Sequence, residues 1–144
     1  MNYEKCAQEL IECMIKNQQT RCQVQKNITE LAKGEVAVLS FLLENDGVNA
    51  YEISQHFQIN TSRVAAILNS LSKKGFLERR DDIQDKRKVK IFMTETGRSY
   101  VLERQAIILK RVTQMLESLG EEDALNYIRI LKRVSVLMET MPIE

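Results

Sequence analysis

The sequence predicts a mainly α-helical chain with one small antiparallel β-hairpin set between longer helices, and three observations carry that expectation. Its 144 residues include a single proline, Pro142, and few glycines, so little interrupts helix formation along most of the length. Apolar residues recur at helical spacing in successive segments. One stretch, Phe76 to Met93, alternates instead and breaks around a polar turn.

The first helix is expected from about Tyr3 to Val24, with Cys6, Leu10, Cys13 and Met14 on one side, although the polar run from Lys16 to Thr20 weakens its middle. A second helix covers about Lys33 to Glu44, where Val36, Leu39, Leu42 and Leu43 share a face. Asn45-Asp46-Gly47 stops it. Asn49 reads as the N-cap of a third helix, with Glu52 placed to close a capping box, and Ile53 and Phe57 point inward. After the tight turn Gln58-Ile59-Asn60, either Asn60 or Thr61 caps a fourth helix with Val64, Leu68 and Leu71 buried and Ile67 beside them. Gly75 ends it. Two short helices across a tight turn make a helix-turn-helix pattern.

The segment from Phe76 to Arg80 suits a strand, and Val89, Ile91 and Met93 alternate with Lys88, Lys90 and Phe92 in a second. The charged hairpin from Asp81 to Arg87 between them is a wing. Thr94 then caps a fifth helix, from about Glu95 to Leu119, with Val101, Ile108, Val112 and Leu116 as inward candidates. Gly120 breaks it. A sixth helix opens on Glu121-Glu122-Asp123, acids suited to the positive end of a helix dipole, and runs through Leu125, Ile128, Leu131, Val134 and Met138. The expected fold is therefore a winged helix-turn-helix with long helical dimerisation arms. The last two helices carry more apolar surface than one small lobe can cover, which asks for a partner chain.

Composition excludes several classes. Hydrophobic content of 44% supports a packed core, and no apolar run approaches the roughly 18 residues of a membrane span. The amino-terminal residues lack the basic-then-apolar order of a signal peptide, so a cytoplasmic protein is expected. Cys6, Cys13 and Cys22 are odd in number and form no paired spacing, and His56 is the only histidine, so neither a disulfide framework nor a zinc site is well supplied. Catalysis would need a nucleophile–base pair, a carboxylate pair or a phosphate-cradling glycine loop. No such constellation stands out, and neither an enzyme nor a cofactor is expected. Charge is uneven. Nine bases (Arg63, Lys73, Lys74, Arg79, Arg80, Lys86, Arg87, Lys88 and Lys90) face four acids (Glu78, Asp81, Asp82 and Asp85), a local +5 in a chain of net +1. One basic face on an otherwise acidic chain suits phosphate binding.

The run Gly75-Phe76-Leu77-Glu78-Arg79-Arg80, then Asp82, Asp85-Lys86-Arg87 and Met93-Thr94-Glu95-Thr96-Gly97, resembles the signature of the MarR family of transcriptional regulators, and the resemblance spans roughly Leu31 to Val112. It implies a homodimer built by interleaving the first helix with the fifth and sixth. Its two recognition helices would enter successive major grooves of a near-palindromic double-stranded DNA operator. The expected divisions are residues 1–30 and 99–144 for dimerisation and 31–98 for DNA binding. Repression, released or modulated by a small-molecule effector or an oxidant, is the implied mode.

The fourth helix is then the recognition helix, presenting Thr61, Ser62, Arg63, Ala65, Ala66, Asn69 and Lys73 outward. Thr61 and Ser62 suit phosphate or base edges near free backbone amides. Arg63 is fitted either to guanine O6 and N7 or to phosphate alone, and Asn69 to adenine. Ala65 and Ala66 allow close approach to thymine methyls, and depart from the polar or basic residues common in the family. By the resemblance, Arg87 enters a minor groove from the wing tip, Asp85 holds it extended, and Lys86, Lys88 and Lys90 neutralise phosphates, while Arg79 or Arg80 braces the wing. Cys6, Leu10 and Cys13 share one helix face. The two thiols serve either as small hydrophobes in the dimer interface or as oxidant sensors. His56 is expected near the surface or a phosphate, and Met14, Met115 and Met138 in the helical core. The alternative is a winged-helix module for protein contact without DNA.

Overall fold

The computed structural model describes residues 1–19, 29, 31, 34–85 and 88–141. Its elements are α1 (Tyr3–Gln19), α2 (Glu35–Glu44), α3 (Ala50–Phe57), α4 (Thr61–Lys73), β1 (Leu77–Asp81), β2 (Val89–Met93), α5 (Glu95–Leu119) and α6 (Glu121–Thr140). These match the expected order of six helices and one hairpin. The end of the first helix expected near Val24, the start of the second near Lys33, and Cys22 lie outside the described residues. Two compact units divide the chain, Met1–Ile108 and Leu109–Glu144. Among the described residues no helix is long and apolar enough to cross a membrane.

The first unit is built around α2. Val36, Ala37, Val38, Leu39 and Leu42 are all buried, so this helix is apolar nearly all round and sits in the middle of its lobe. Ile53 of α3, Val64, Leu68 and Leu71 of α4, Leu77 of β1, Ile91 of β2 and Val101 of α5 close the core over it. A polar tie joins α5 to α2, where Gln105 Nε2 donates to Ser40 Oγ at 2.9 Å.

Local chemistry sets the helix ends. Asn49 Oδ1 accepts the Glu52 N–H at 2.9 Å and Glu52 Oε2 accepts the Asn49 N–H at 2.7 Å, a complete capping box. Gln58 closes α3 in the left-handed region (φ 51°), which turns the chain sharply into α4. Asn60, and not Thr61, caps α4 by accepting the Arg63 N–H at 2.8 Å. At its other end Phe76 N–H donates to Leu71 O and Gly75 N–H to Ser72 O, with Gly75 at φ +75°, the paired bonds of a Schellman stop.

The hairpin pairs Leu77 with Met93 through to Asp81 with Val89. Segment 46–48 clamps its foot. Val48 forms a bridge to Ile91, Gly47 N–H donates to Ile91 O, and Asp46 Oδ1 accepts the Met93 N–H at 2.8 Å. Thr94 caps α5 as expected, its Oγ1 accepting the Gly97 N–H and donating to Gly75 O at 2.7 Å. Val89 departs from the expected inward alternation: it is 42% exposed, two residues beyond Ile91, where β2 joins the buried core.

In α1, every side chain described from Tyr3 to Asn17 is exposed, Cys6, Cys13 and Met14 included. The second unit contains the end of α5 and all of α6. Gly120 (φ +82°) separates them, and α6 buries none of its side chains, so Met138, expected in a helical core, is exposed. Met115 is half-buried.

Candidate nucleic-acid interface

The three-residue turn and the Asn60 cap fix α4 with Val64, Leu68 and Leu71 against the core. Helical spacing then leaves Thr61, Ser62, Arg63, Ala65, Ala66, Asn69 and Lys73 exposed together on the opposite side. The amino-terminal turn of α4 adds backbone N–H groups and the positive end of its dipole. Cations, two hydroxyls, a small flat patch of alanines and an amide therefore share one solvent-facing helix surface.

The wing carries its own internal order. Asp82 Oδ1 accepts the Gln84 N–H at 2.8 Å, Asp82 N–H donates to Lys88 O at 2.9 Å, and Lys88 N–H donates to Asp85 O at 2.8 Å. Lys90 Nζ lies 3.4 Å from Asp82 Oδ2. The Gln84 backbone hydrogen bond, helped by Lys90 and by a further backbone bond from Asp85, holds the Asp82 carboxyl below its ordinary range. Ile83, on this turn, is 98% exposed. Lys86 and Arg87 lie outside the described residues, so the expected Asp85–Arg87 pairing concerns a side chain that is not described here.

The basic residues divide by partner. Lys74 reaches back across the lobe to Glu35, Arg80 Nη2 meets Glu78 Oε2 at 2.9 Å while its guanidinium stacks 4.6 Å above the Phe92 ring, and Lys90 meets Asp82. Burial opposes the charge on Glu35, but hydrogen bonds from Lys74 and Ser70 and the Lys74 charge outweigh it and hold the carboxyl below 4.5. Arg63, Lys73 and Lys88 have no carboxylate within ion-pair distance among the described residues. Arg79 donates from Nη2 to Asn69 Oδ1 at 2.7 Å, joining β1 to the outer face of α4.

Sequence reasoning missed three of these groups. Asp82 was legible in principle, since an aspartate two residues before a turn amide is a familiar local cap. Asp46, and the bond between Arg79 and Asn69, carry no short-range signal. His56 is exposed as expected, but its ring lies 4.3 Å from that of Phe41 and 4.7 Å from that of Phe57, so it extends an aromatic cluster on the flank of α3.

Comparison with known proteins bears on this lobe directly. A sequence model described as the MarR family matches residues 27–88, which take in α2, α3, α4, β1 and the turn up to β2. The HTH-type transcriptional repressor YetL of Bacillus subtilis (strain 168) is 21% identical over 115 residues, covering 76% of this chain and 69% of that protein. The crystal structure of the YusO protein from Bacillus subtilis superposes with a TM-score of 0.72 at 17% identity, covering 94% of this chain and 97% of that one. That of Streptococcus pneumoniae FabT in complex with DNA gives 0.67 at 19% identity, over 96% and 98%.

Proposed function

We propose that this protein, a member of the MarR family, is a sequence-specific DNA-binding transcriptional regulator that acts as a homodimer in the cytoplasm, represses, and has no catalytic role. The observation that carries the reading is the exposed α4 face beside the wing, where Arg63, Lys73 and Lys88 stand without acidic partners among the described residues, on a lobe matched to that family. Unpaired cations displace counterions from the phosphate backbone at little cost, whereas paired ones must first give up their carboxylates. Helix α4 enters the major groove and the wing reaches the neighbouring minor groove through Arg87, with Asp85, Lys86 and Lys88 beside it. Residues 31–98 form the reading lobe, and residues 1–30 and 99–144 pair the subunits. Support for pairing comes from apolar side chains left in solvent, Leu10, Ile11 and Met14 on α1 and Leu125, Leu131 and Val134 on α6. A small molecule or an oxidant releases or modulates the complex.

Fluorescence anisotropy with duplexes selected from a random pool tests this. Affinity is expected to fall steeply with salt, and Arg87→Ala to weaken binding by tenfold or more, on the order of a lost minor-groove arginine contact, with an unchanged circular dichroism spectrum. An Arg87→Ala protein that binds as tightly as its parent refutes the wing assignment. Retention on DNA that does not respond to salt refutes the phosphate surface.

A further inference from the structure

The bond from Arg79 Nη2 to Asn69 Oδ1 does more than brace the wing. A guanidinium has only donors, so the amide oxygen of Asn69 must be the atom facing it, and Nδ2 occupies the other arm of the amide. Both residues are exposed and lie on the side of α4 that also carries Arg63, Ala65, Ala66 and Lys73. A bidentate asparagine recognises adenine by accepting from N6–H with Oδ1 while donating to N7. Here Oδ1 already gives one of its two lone pairs to a short charge-assisted bond. What remains at this spot is mostly donors, the Nδ2 amino group and the outer N–H groups of Arg79, against one remaining lone pair of Oδ1. Guanine is the base whose major-groove edge offers two neighbouring acceptors, N7 and O6, while adenine and cytosine each place a donor there.

We propose that Asn69 and Arg79 work as one donor-rich reader that selects guanine in the major groove, with Arg79 of β1 as the positioning residue that sets the polarity of Asn69 on α4. The proposal rests on the DNA-binding reading above and specifies its base preference. It differs from the adenine contact that Asn69 alone suggests.

Selection from a random duplex pool, run with the full chain and with Asn69→Ala, Arg79→Ala and the double variant, tests it. The parent should demand guanine at one position of each half-site. Asn69→Ala should lower that preference roughly tenfold, the size of one good base contact. Arg79→Ala should change the same position and turn it toward adenine, because Asn69 Oδ1 is released. The double variant should be no less selective there than Asn69→Ala. Arg79→Met keeps the apolar stem and should give the same shift if the alanine variant folds poorly by circular dichroism. The proposal is overturned if Arg79→Ala weakens every sequence equally and lowers the salt slope by about one, the behaviour of a phosphate contact. It is overturned equally if the two single variants alter different positions. A parent chain that enriches no sequence at all overturns the DNA-binding reading itself, a result distinct from either of these.

Discussion

Replacing Gly97 by alanine should destabilise the lobe by about 1–3 kcal/mol, although the substitution improves helix propensity. Gly97 lies in the first turn of α5, and a Cβ built on it falls 2.3 Å from the Phe76 carbonyl oxygen and 3.1 Å from Met93 Cγ. A carbon approaches a carbonyl oxygen comfortably only to about 3.3 Å, so the overlap is about 1 Å. The struck atom is backbone, and it also accepts the Thr94 N–H at 3.0 Å, so it cannot swing aside as a side chain would. Overpacking of this kind costs about 1–3 kcal/mol. Moving α5 outward to relieve it sacrifices the Thr94–Phe76 bond, about 1 kcal/mol more. The gain in propensity, about 1 kcal/mol, offsets that last contribution only. With a urea dependence of about 2 kcal/mol/M, a loss of about 2 kcal/mol lowers the midpoint by about 1 M. Urea melts followed by circular dichroism at one protomer concentration measure it, concentration being held fixed because pairing contributes to stability. Gly75→Asn is the control. Gly75 has nothing within 4 Å of its added Cβ and only its positive φ to satisfy, which asparagine tolerates. A Gly97→Ala midpoint equal to the parent's, or above it, would show that α5 does not sit against the hairpin foot in this way.

Three further outcomes are expected. Ile53→Ala, at a fully buried position of α3, should cost about 2–5 kcal/mol in the same melts, and a loss below about 1 kcal/mol would place Ile53 outside the core. The Glu35 carboxyl is held below its ordinary value, so its pairing with Lys74 contributes fully above about pH 4.5 and fades as pH falls through the lowered value. The parent's urea midpoint should therefore drop more steeply below pH 4.5 than that of Glu35→Gln, and parallel curves would refute the pairing. Leu131→Glu with Val134→Glu puts charge on two exposed apolar positions of α6; sedimentation should find a monomer of unchanged helicity that no longer holds duplex DNA, whereas an intact dimer would move the pairing surface elsewhere.

What could be read in advance follows the range of the interaction. The capping box of Asn49 and Glu52, the Thr94 cap, and the stops at Gly75 and Gly120 all act within a few residues, so the sequence displays them side by side. The buried stripe of α4 is equally plain, because burial on one side of a helix imposes its own period. The pieces that orient the wing are of another kind. Asp46 meets the Met93 amide from 47 positions away, Lys74 meets Glu35 across 39, and neither neighbourhood marks the residue as anything but polar. Asn69 and Arg79 are only ten apart, yet a helix, a turn and a strand must all be in place before their side chains meet. Alternation misplaced Val89 for a related reason: a period of two says which side of a strand a residue takes, not whether the core extends that far.

The division among the basic residues explains how a chain of net +1 can present a locally basic surface, as the proposed reading requires. Three paired bases tie parts of the lobe together: Lys74 joins the end of α4 to α2, Arg80 lies on Phe92 across the hairpin, and Lys90 helps Asp82 order the wing turn. These pairs are at least partly exposed, so solvent screening leaves each with little direct effect on stability. They occupy Glu35, Glu78 and Asp82, three carboxylates that would otherwise offset bases nearby. Among the described residues Arg63, Lys73 and Lys88 have no carboxylate within ion-pair distance, and the Arg79 guanidinium meets a neutral amide rather than an acid. Removing Glu35 or Asp82 would raise the net charge while loosening the ties that hold α4 to α2 and order the wing turn.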